Sequence, residues 1–266
     1  MKPSLGIICI NLDRSPQRWE FMAAQFQTIG IEVERLAAID GTAGVPAWLS
    51  LEFAGPHQLT PGEVGCYASH LMAAQMVVGR CLPFGVVLED DVTLDRDFAV
   101  ACREAIETAP VDWDYIHLAS RVKRPVVAVQ SLSNGRALIR YSKLPLNTAA
   151  YILSNRGARK LLVPLPRRCP NDVDVRHAWL TKLNVLGIYP APATQTSDFL
   201  SDIGHVLKPR IPRIFSPGPL SEVYLKWWTI RSLGLAVYAR TRFVNISSAM
   251  RQLIARDTKR RVPILR

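Results

Sequence analysis

An apolar run that ends in three consecutive carboxylates constrains this chain most: Phe84-Gly85-Val86-Val87-Leu88, then Glu89-Asp90-Asp91. Val86, Val87 and Leu88 show no polar alternation, which predicts a strand buried on both faces. In open α/β sheets such strands end at the ligand crevice, and the triplet falls at that end. Three adjacent carboxylates repel one another unless a cation or strong donors offset the charge. A hard divalent ion such as Mg²⁺ or Mn²⁺ takes such oxygen ligands and can hold a substrate phosphate. The competing reading is a solvated acidic turn, since surface charge is common.

The rest of the chain alternates strand and helix signals. Leu5–Ile10 has strand length, and Ser15-Pro16 reads as an N-cap with Pro at the first helical position. That helix carries Trp19, Met22, Ala23 and Phe26 and stops near Gly30. Arg14 and Arg18 lie at its start, either as an exposed face or as anion ligands beside a helix N-terminus. Ile31–Ile39 is extended and ends in the turn Asp40-Gly41, and 42–58 reads as loop. Thr60-Pro61-Gly62-Glu63 is a capping box that opens a helix running to Gly79. A helix over Asp97–Thr108, a strand over Trp113–Leu118 and a hairpin around Asn134-Gly135 follow. Then come a strand over Asn147–Ser154, a helix over Asn155–Leu162 and a polar loop over Arg167–Asp174. A helix over Val175–Leu183 and a strand over Val185–Tyr189 precede an irregular stretch, Pro190–Ile203.

Charge divides the chain. Residues 1–206 hold 20 Lys+Arg and 20 Asp+Glu, whereas 207–266 hold the other 13 Lys+Arg against Glu222 and Asp257. The whole excess of +11 therefore lies in the last 60 residues, which sets a boundary between 1–206 and a basic segment, 207–266. Five scattered cysteines without CxxC spacing read as reduced, buried thiols of a cytosolic chain. The short run Leu5–Ile10 does not read as a signal-peptide core, and no run has the ~18 apolar residues of a membrane span.

Several segments, in this order, resemble glycosyltransferase family 25, the lipooligosaccharide galactosyltransferase family. They are Asn11-Leu12-Asp13-Arg14 with Arg18, Asp40-Gly41, Gly62-Glu63-Val64-Gly65-Cys66 with Ser69-His70, and Leu88-Glu89-Asp90-Asp91. Thr148–Ser154, Pro170-Asn171-Asp172 and Pro190 to Gln195 complete the set. One departure is Asn171, where the family usually has an apolar residue before the Asp.

The resemblance implies an α/β, GT-A-like, Rossmann-type nucleotide-sugar fold with a mixed central sheet, here followed by a basic helical C-terminal segment. It implies inverting transfer from a UDP-sugar, usually UDP-galactose, to a glycan or lipid-linked glycan, with Mn²⁺ or Mg²⁺. Glu89 and Asp91 take the DxD-like positions, Asp91 as direct metal ligand and Glu89 as ribose or metal contact. The donor-contacting set is Asn11, Arg14, Asp40, Ser69, His70, Glu89, Asp90 and Gln195, with His205 as a further candidate. Asp172 is the matched general base and Asp174 the reserve. A glycosidase with paired carboxylates and a non-catalytic sugar-binding protein of the same fold are the rival readings.

Residues 207–266 match no motif of the resemblance. Pro209, Pro212, Pro217 and Pro219 form a stiff lead-in, and Val223–Trp228 sets paired Trp beside Lys226. Phe243, Ile246, Met250 and Leu253 share a helical face, and Lys259-Arg260-Arg261 adds charge. This predicts an anchor on an anionic membrane surface, with the protein peripheral on the inner face of the cytoplasmic membrane. Helices packed on the catalytic domain are the alternative. Arginines interleaved with aromatic residues also allow nucleic-acid binding, but no recognised module is present.

Overall fold

Alternation along the central strands builds two cores, one on each face of a single sheet. The computed structural model describes residues 5–55, 59–119, 122–196, 219–244 and 264–265. In chain order the elements are β1 (Ile7–Asn11), α1 (Pro16–Ile29), β2 (Glu34–Ala37), a 3-10 turn (Ala47–Leu49), α2 (Pro61–Gly79), β3 (Phe84–Glu89), β4 (Val92–Leu94) and α3 (Phe98–Thr108). They continue as β5 (Tyr115–His117), β6 (Val126–Ser131), β7 (Ala137–Tyr141), β8 (Ala150–Ser154), α4 (Asn155–Leu161), α5 (Asn171–Arg176), α6 (Ala178–Thr181), β9 (Val185–Tyr189), β10 (Ala193–Gln195), α7 (Pro219–Leu233) and β11 (Ile264–Leu265).

The main sheet has the order β11-β6-β7-β9-β5-β8-β3-β1-β2, and β4 pairs with β10 apart from it. It is mixed: β1 runs parallel to β2 and β3, whereas β8 runs antiparallel to β3 and β5. Ile7, Cys9, Val86 and Leu88 face the helices α1 and α3, packing with Met22, Phe26 and Phe98. Ile8, Ile10 and Val87 face the other way, onto Ala73, Ala74 and Val77 of α2. Both faces of β1 and β3 are therefore buried, the reason these strands lack polar alternation. This is the expected α/β, GT-A-like arrangement.

Local signals placed several elements. Thr60 and Glu63 form the reciprocal capping box of α2, and Gly30 ends α1 in the left-handed conformation. The Asn134-Gly135 turn lies between β6 and β7, with Asn134 and Gly135 both at positive φ. Other expectations need correction. Ser15 precedes α1 but its side chain makes no cap hydrogen bond; its carbonyl instead accepts from Asn11 Nδ2 at 3.0 Å. The stretch expected as a polar loop through Asp174 is helical from Asn171, so Asp172 and Asp174 lie in the first turn of α5. Carboxylates are favourable at that end of a helix, and Pro170 just before it has the fixed φ suited to a helix start. The helix expected over Val175–Leu183 instead breaks at His177, between α5 and α6. The irregular stretch after Pro190 contains β10, which is held by pairing with β4. Cys81 is exposed rather than buried, and Cys66 is half-buried; Cys9, Cys102 and Cys169 are buried.

The change in composition at 206/207 is not matched by a break in packing among the described residues. Helix α7 lies against α6 and β7, and β11 extends the sheet beside β6. Leu225 and Thr229 of α7 are buried, and Trp228 packs against the core on that face of the sheet. Residues 235–244 are also helical. His205, the proline lead-in before Pro219, Ile246, Met250, Leu253 and Lys259-Arg260-Arg261 lie outside the described residues.

Candidate active site

The parity of β3 directs the triplet's side chains. Glu89 continues the face of Val87 and meets α2, whereas Asp90 turns toward α1. His70 Nε2 lies 3.2 Å from Glu89 Oε1, and Thr148 Oγ1 donates to the same oxygen at 3.1 Å. A carboxylate can only accept, so His70 presents an Nε2 proton to Glu89, while its Nδ1 lies 2.9 Å from the Tyr151 hydroxyl. Burial pushes the Glu89 carboxyl up, but His70, Thr148 and the Arg18 charge outweigh it and the net direction is down.

Asp90 is buried and held by protein alone. Asn11 Nδ2 donates to its Oδ2 at 2.7 Å, and Arg18 Nη1 lies 3.0 Å from its Oδ1. Arg35 Nε in turn donates to Asn11 Oδ1 at 2.8 Å. Asn11 and Asp90, both expected to contact the donor, are thus joined to each other, and of the two Asp90 lines the cleft described below. Arg18 also bridges to Asp91 Oδ2 at 3.2 Å, so it serves as an internal counter-charge for the triplet.

Asp91 is different. Gln195 Nε2 donates to its Oδ2 at 3.1 Å, delivered by the pairing of β10 with β4. Its Oδ1 is buried with no hydrogen-bond partner among the described residues. Burial and the Glu89 charge push this carboxyl up to about 6. A buried carboxylate oxygen without a donor is costly unless a cation reaches it. Asp91 Oδ1, with Glu89 alongside, therefore fits the hard divalent cation that the family implies.

A cleft with about 830 Å³ of empty space, its open mouth included, lies over these groups. Asp40 and Arg14 pair with each other at its wall. Asp40 also accepts from the Thr42 hydroxyl at 2.7 Å and the Thr42 amide at 3.0 Å, and these bonds, with Arg14, hold its carboxyl below the usual range. Two motif glycines set this wall. A Cβ on Gly41 would collide with the Pro61 carbonyl, and one on Gly65 with the Ile39 carbonyl, so the Asp40 loop packs backbone to backbone on α2. Ser69 secures the same junction: its hydroxyl donates to Gly65 O at 2.7 Å and accepts from Ile39 N at 2.8 Å. It lines the cleft, but these two bonds already engage it.

Cys66, one turn before His70 on α2, also lines the cleft. Its thiol and the ligand atoms of His70 and Glu89 lie within 4.8 Å of one another. Burial, then the Glu89 and Asp172 charges, push the thiol well up, so it stays protonated at neutral pH.

The two base candidates differ in surroundings. Asp174 accepts from the Tyr67 hydroxyl at 3.0 Å, and Tyr67 accepts from buried Arg167 at 2.7 Å. Arg167 Nε donates to Glu52 at 2.7 Å. Asp174 thus ends an internal chain, and burial pushes its carboxyl up to about 6. Asp172 begins α5, near enough to Cys66 for its charge to act there. The sequence reading assigned no role to Arg35, Tyr151, Thr148 or Cys66. Thr148, Tyr151 and Cys66 stood inside recognised segments, whereas Arg35 gave no local signal.

The fold is thus a mixed α/β sheet with an acidic strand end under a cleft, and comparison with known proteins gives its class, the glycosyltransferases. The sequence profile of glycosyltransferase family 25 (LPS biosynthesis protein) matches residues 5–174, and the chain belongs to that family. It is 32% identical over 231 residues to the probable inactive glycosyltransferase 25 family member 3 of Rattus norvegicus, covering 74% of this chain and 40% of the relative. It is 31% identical over 173 residues to procollagen galactosyltransferase 2 of Mus musculus, covering 59% of this chain and 27% of the relative. The chain thus spans less than half the length of the curated relatives named here. Among solved structures it is similar to a glycosyltransferase involved in the glycosylation of the major capsid of PBCV-1. That likeness has 9% identity and a TM-score of 0.44, over 74% of this chain and 95% of the other.

Proposed function

We propose that the chain is a metal-dependent, inverting glycosyltransferase that moves galactose from UDP-galactose to a glycan acceptor in lipooligosaccharide, lipopolysaccharide or another cell-surface polysaccharide. The observation that carries this reading is Asp91 Oδ1, buried and without a protein partner beside the open cleft. When bound there, Mn²⁺ or Mg²⁺ supplies Lewis-acid neutralisation of the leaving diphosphate. Asp91 and Glu89 would hold it, and His70 and Thr148 fix the Glu89 carboxylate. Arg14 and Asp40 line the nucleotide end, and Asp172 takes the acceptor hydroxyl proton. The relative named procollagen galactosyltransferase 2 supports galactose as the sugar.

A donor screen tests the reading. Hydrolysis of UDP-, GDP- and CMP-sugars with Mn²⁺ is expected to be fastest with UDP-galactose and to stop on chelation. Equal rates across the panel, or rates indifferent to chelation, would contradict it. A second reading, a non-catalytic nucleotide-sugar-binding protein, draws support from relatives named inactive. Mn²⁺-dependent UDP-galactose binding without release of galactose is its signature.

The membrane anchor is proposed with it, at the inner face of the cytoplasmic membrane. Supporting it, Val223, Tyr224 and Trp227 are exposed on α7, beside exposed Lys226. Among the described residues no helix is long and apolar enough to cross a membrane. Cosedimentation with anionic liposomes is expected at low salt and should weaken roughly 10²-fold in a Lys259→Ala/Arg260→Ala/Arg261→Ala variant, at about 1 kcal/mol per basic residue. Equal binding to neutral and anionic vesicles would refute the anchor.

A further inference from the structure

A second cavity, with about 1420 Å³ of empty space, its open mouth included, borders the donor cleft. Gln195 lines both. On one side it donates to Asp91 Oδ2 at 3.1 Å; on the other its Oε1 accepts from Asn147 Nδ2 at 3.4 Å. The second cavity thus opens beside the carboxylate triplet.

Its electrostatics oppose those of the donor cleft. Lys123 and Arg124 before β6, Lys143 after β7 and Arg176 at the end of α5 all line it, and no described lining residue is acidic. Residues 1–206 balance 20 Lys+Arg against 20 Asp+Glu, so four basic residues in one described lining are a local concentration of charge. Arg176 Nε is buried with no hydrogen-bond partner among the described residues. A guanidinium donor in that state needs an acceptor, and an anion supplies the strongest one. Arg176 also lies one turn after Asp172 on α5, so the cationic wall and the candidate base share one helix.

We infer that this cavity is the acceptor subsite and that it takes a glycan bearing an anionic substituent, a phosphate. The inference rests on the transferase reading above and specifies its acceptor class. Gln195 then stands between donor and acceptor, with Asp172 approached from the acceptor side.

The experiment uses the full chain, with maltotetraose and its 6-phosphorylated form as probes in titration calorimetry, each with and without saturating UDP and Mn²⁺. The phosphorylated probe is expected to bind at least roughly tenfold more tightly than the neutral one, the value of one charge-assisted hydrogen bond. That preference should fall several-fold in Lys123→Ala/Lys143→Ala, a pair of exposed positions whose folding is checked by thermal melting and whose replacement leaves Arg124 and Arg176 in place. UDP should not displace the probe. Equal affinity for the two probes, failure of both to bind, a preference kept in the double variant, or displacement by UDP would each overturn the inference. UDP and Mn²⁺ binding by the wild type is read separately: its loss would sink the transferase reading, whereas probe results with UDP binding intact bear on the acceptor subsite alone.

Discussion

Asp91→Asn is expected to lower sugar transfer by at least about 10²-fold, the scale of losing one electrostatic contact to charge developing in a transition state. Mn²⁺-dependent UDP binding should weaken with it. The variant should nevertheless melt no lower than wild type near pH 8 without metal. Burial and Glu89 raise the Asp91 carboxyl to about 6 in the fold, above the ordinary 3.8. The stabilising preference for the proton is fully present below about pH 4 and is lost as pH rises through about 6. Above that, the ionised group strains the apo fold, and an amide removes the strain while its oxygen still accepts from Gln195. Melting curves and initial rates on one preparation separate the roles. Wild-type turnover would end the metal-ligand assignment, and a fall in Tm would make Asp91 a structural residue.

Asp172→Asn is expected to cost about 10²–10⁴-fold in kcat, the range for loss of a general base, with UDP affinity kept. Asp174→Asn is the internal comparison. Asp174 closes the Glu52–Arg167–Tyr67 chain, so its replacement should leave kcat within a few-fold of wild type. Asp174 is also held near 6, so its protonation stabilises the fold as pH falls toward 4 and that contribution is gone above about 6. The Tm difference between wild type and Asp174→Asn should therefore shift in favour of wild type as pH is lowered from 8 to 5. A kcat loss in Asp174→Asn with Asp172→Asn unaffected would transfer the base role to Asp174.

The unbroken apolar run of β3 announced a doubly covered strand. The Thr60/Glu63 box, Pro16 with Gly30, and Asn134-Gly135 marked their elements because caps and turns act within three or four residues of backbone. The acidic triplet and the order of the motifs were enough for the family and for the strand end at which the candidate site is built. The division of labour inside the triplet was not legible. Asn11 holds Asp90 across 79 positions of sequence and Gln195 holds Asp91 across 104, so sheet register and the β4–β10 pairing choose which carboxylate keeps an oxygen without a partner. Asp172 and Asp174 look equivalent as letters. Only the packing of α5 against α2, where Tyr67 reaches one of them, makes one an internal anchor. The basic tail likewise looked separate by charge, yet Leu225 and Leu265 lie buried against the domain. Apolar contact from a few residues is sufficient to dock a segment whose described basic residues, Lys226, Arg231, Arg240 and Arg242, stay exposed.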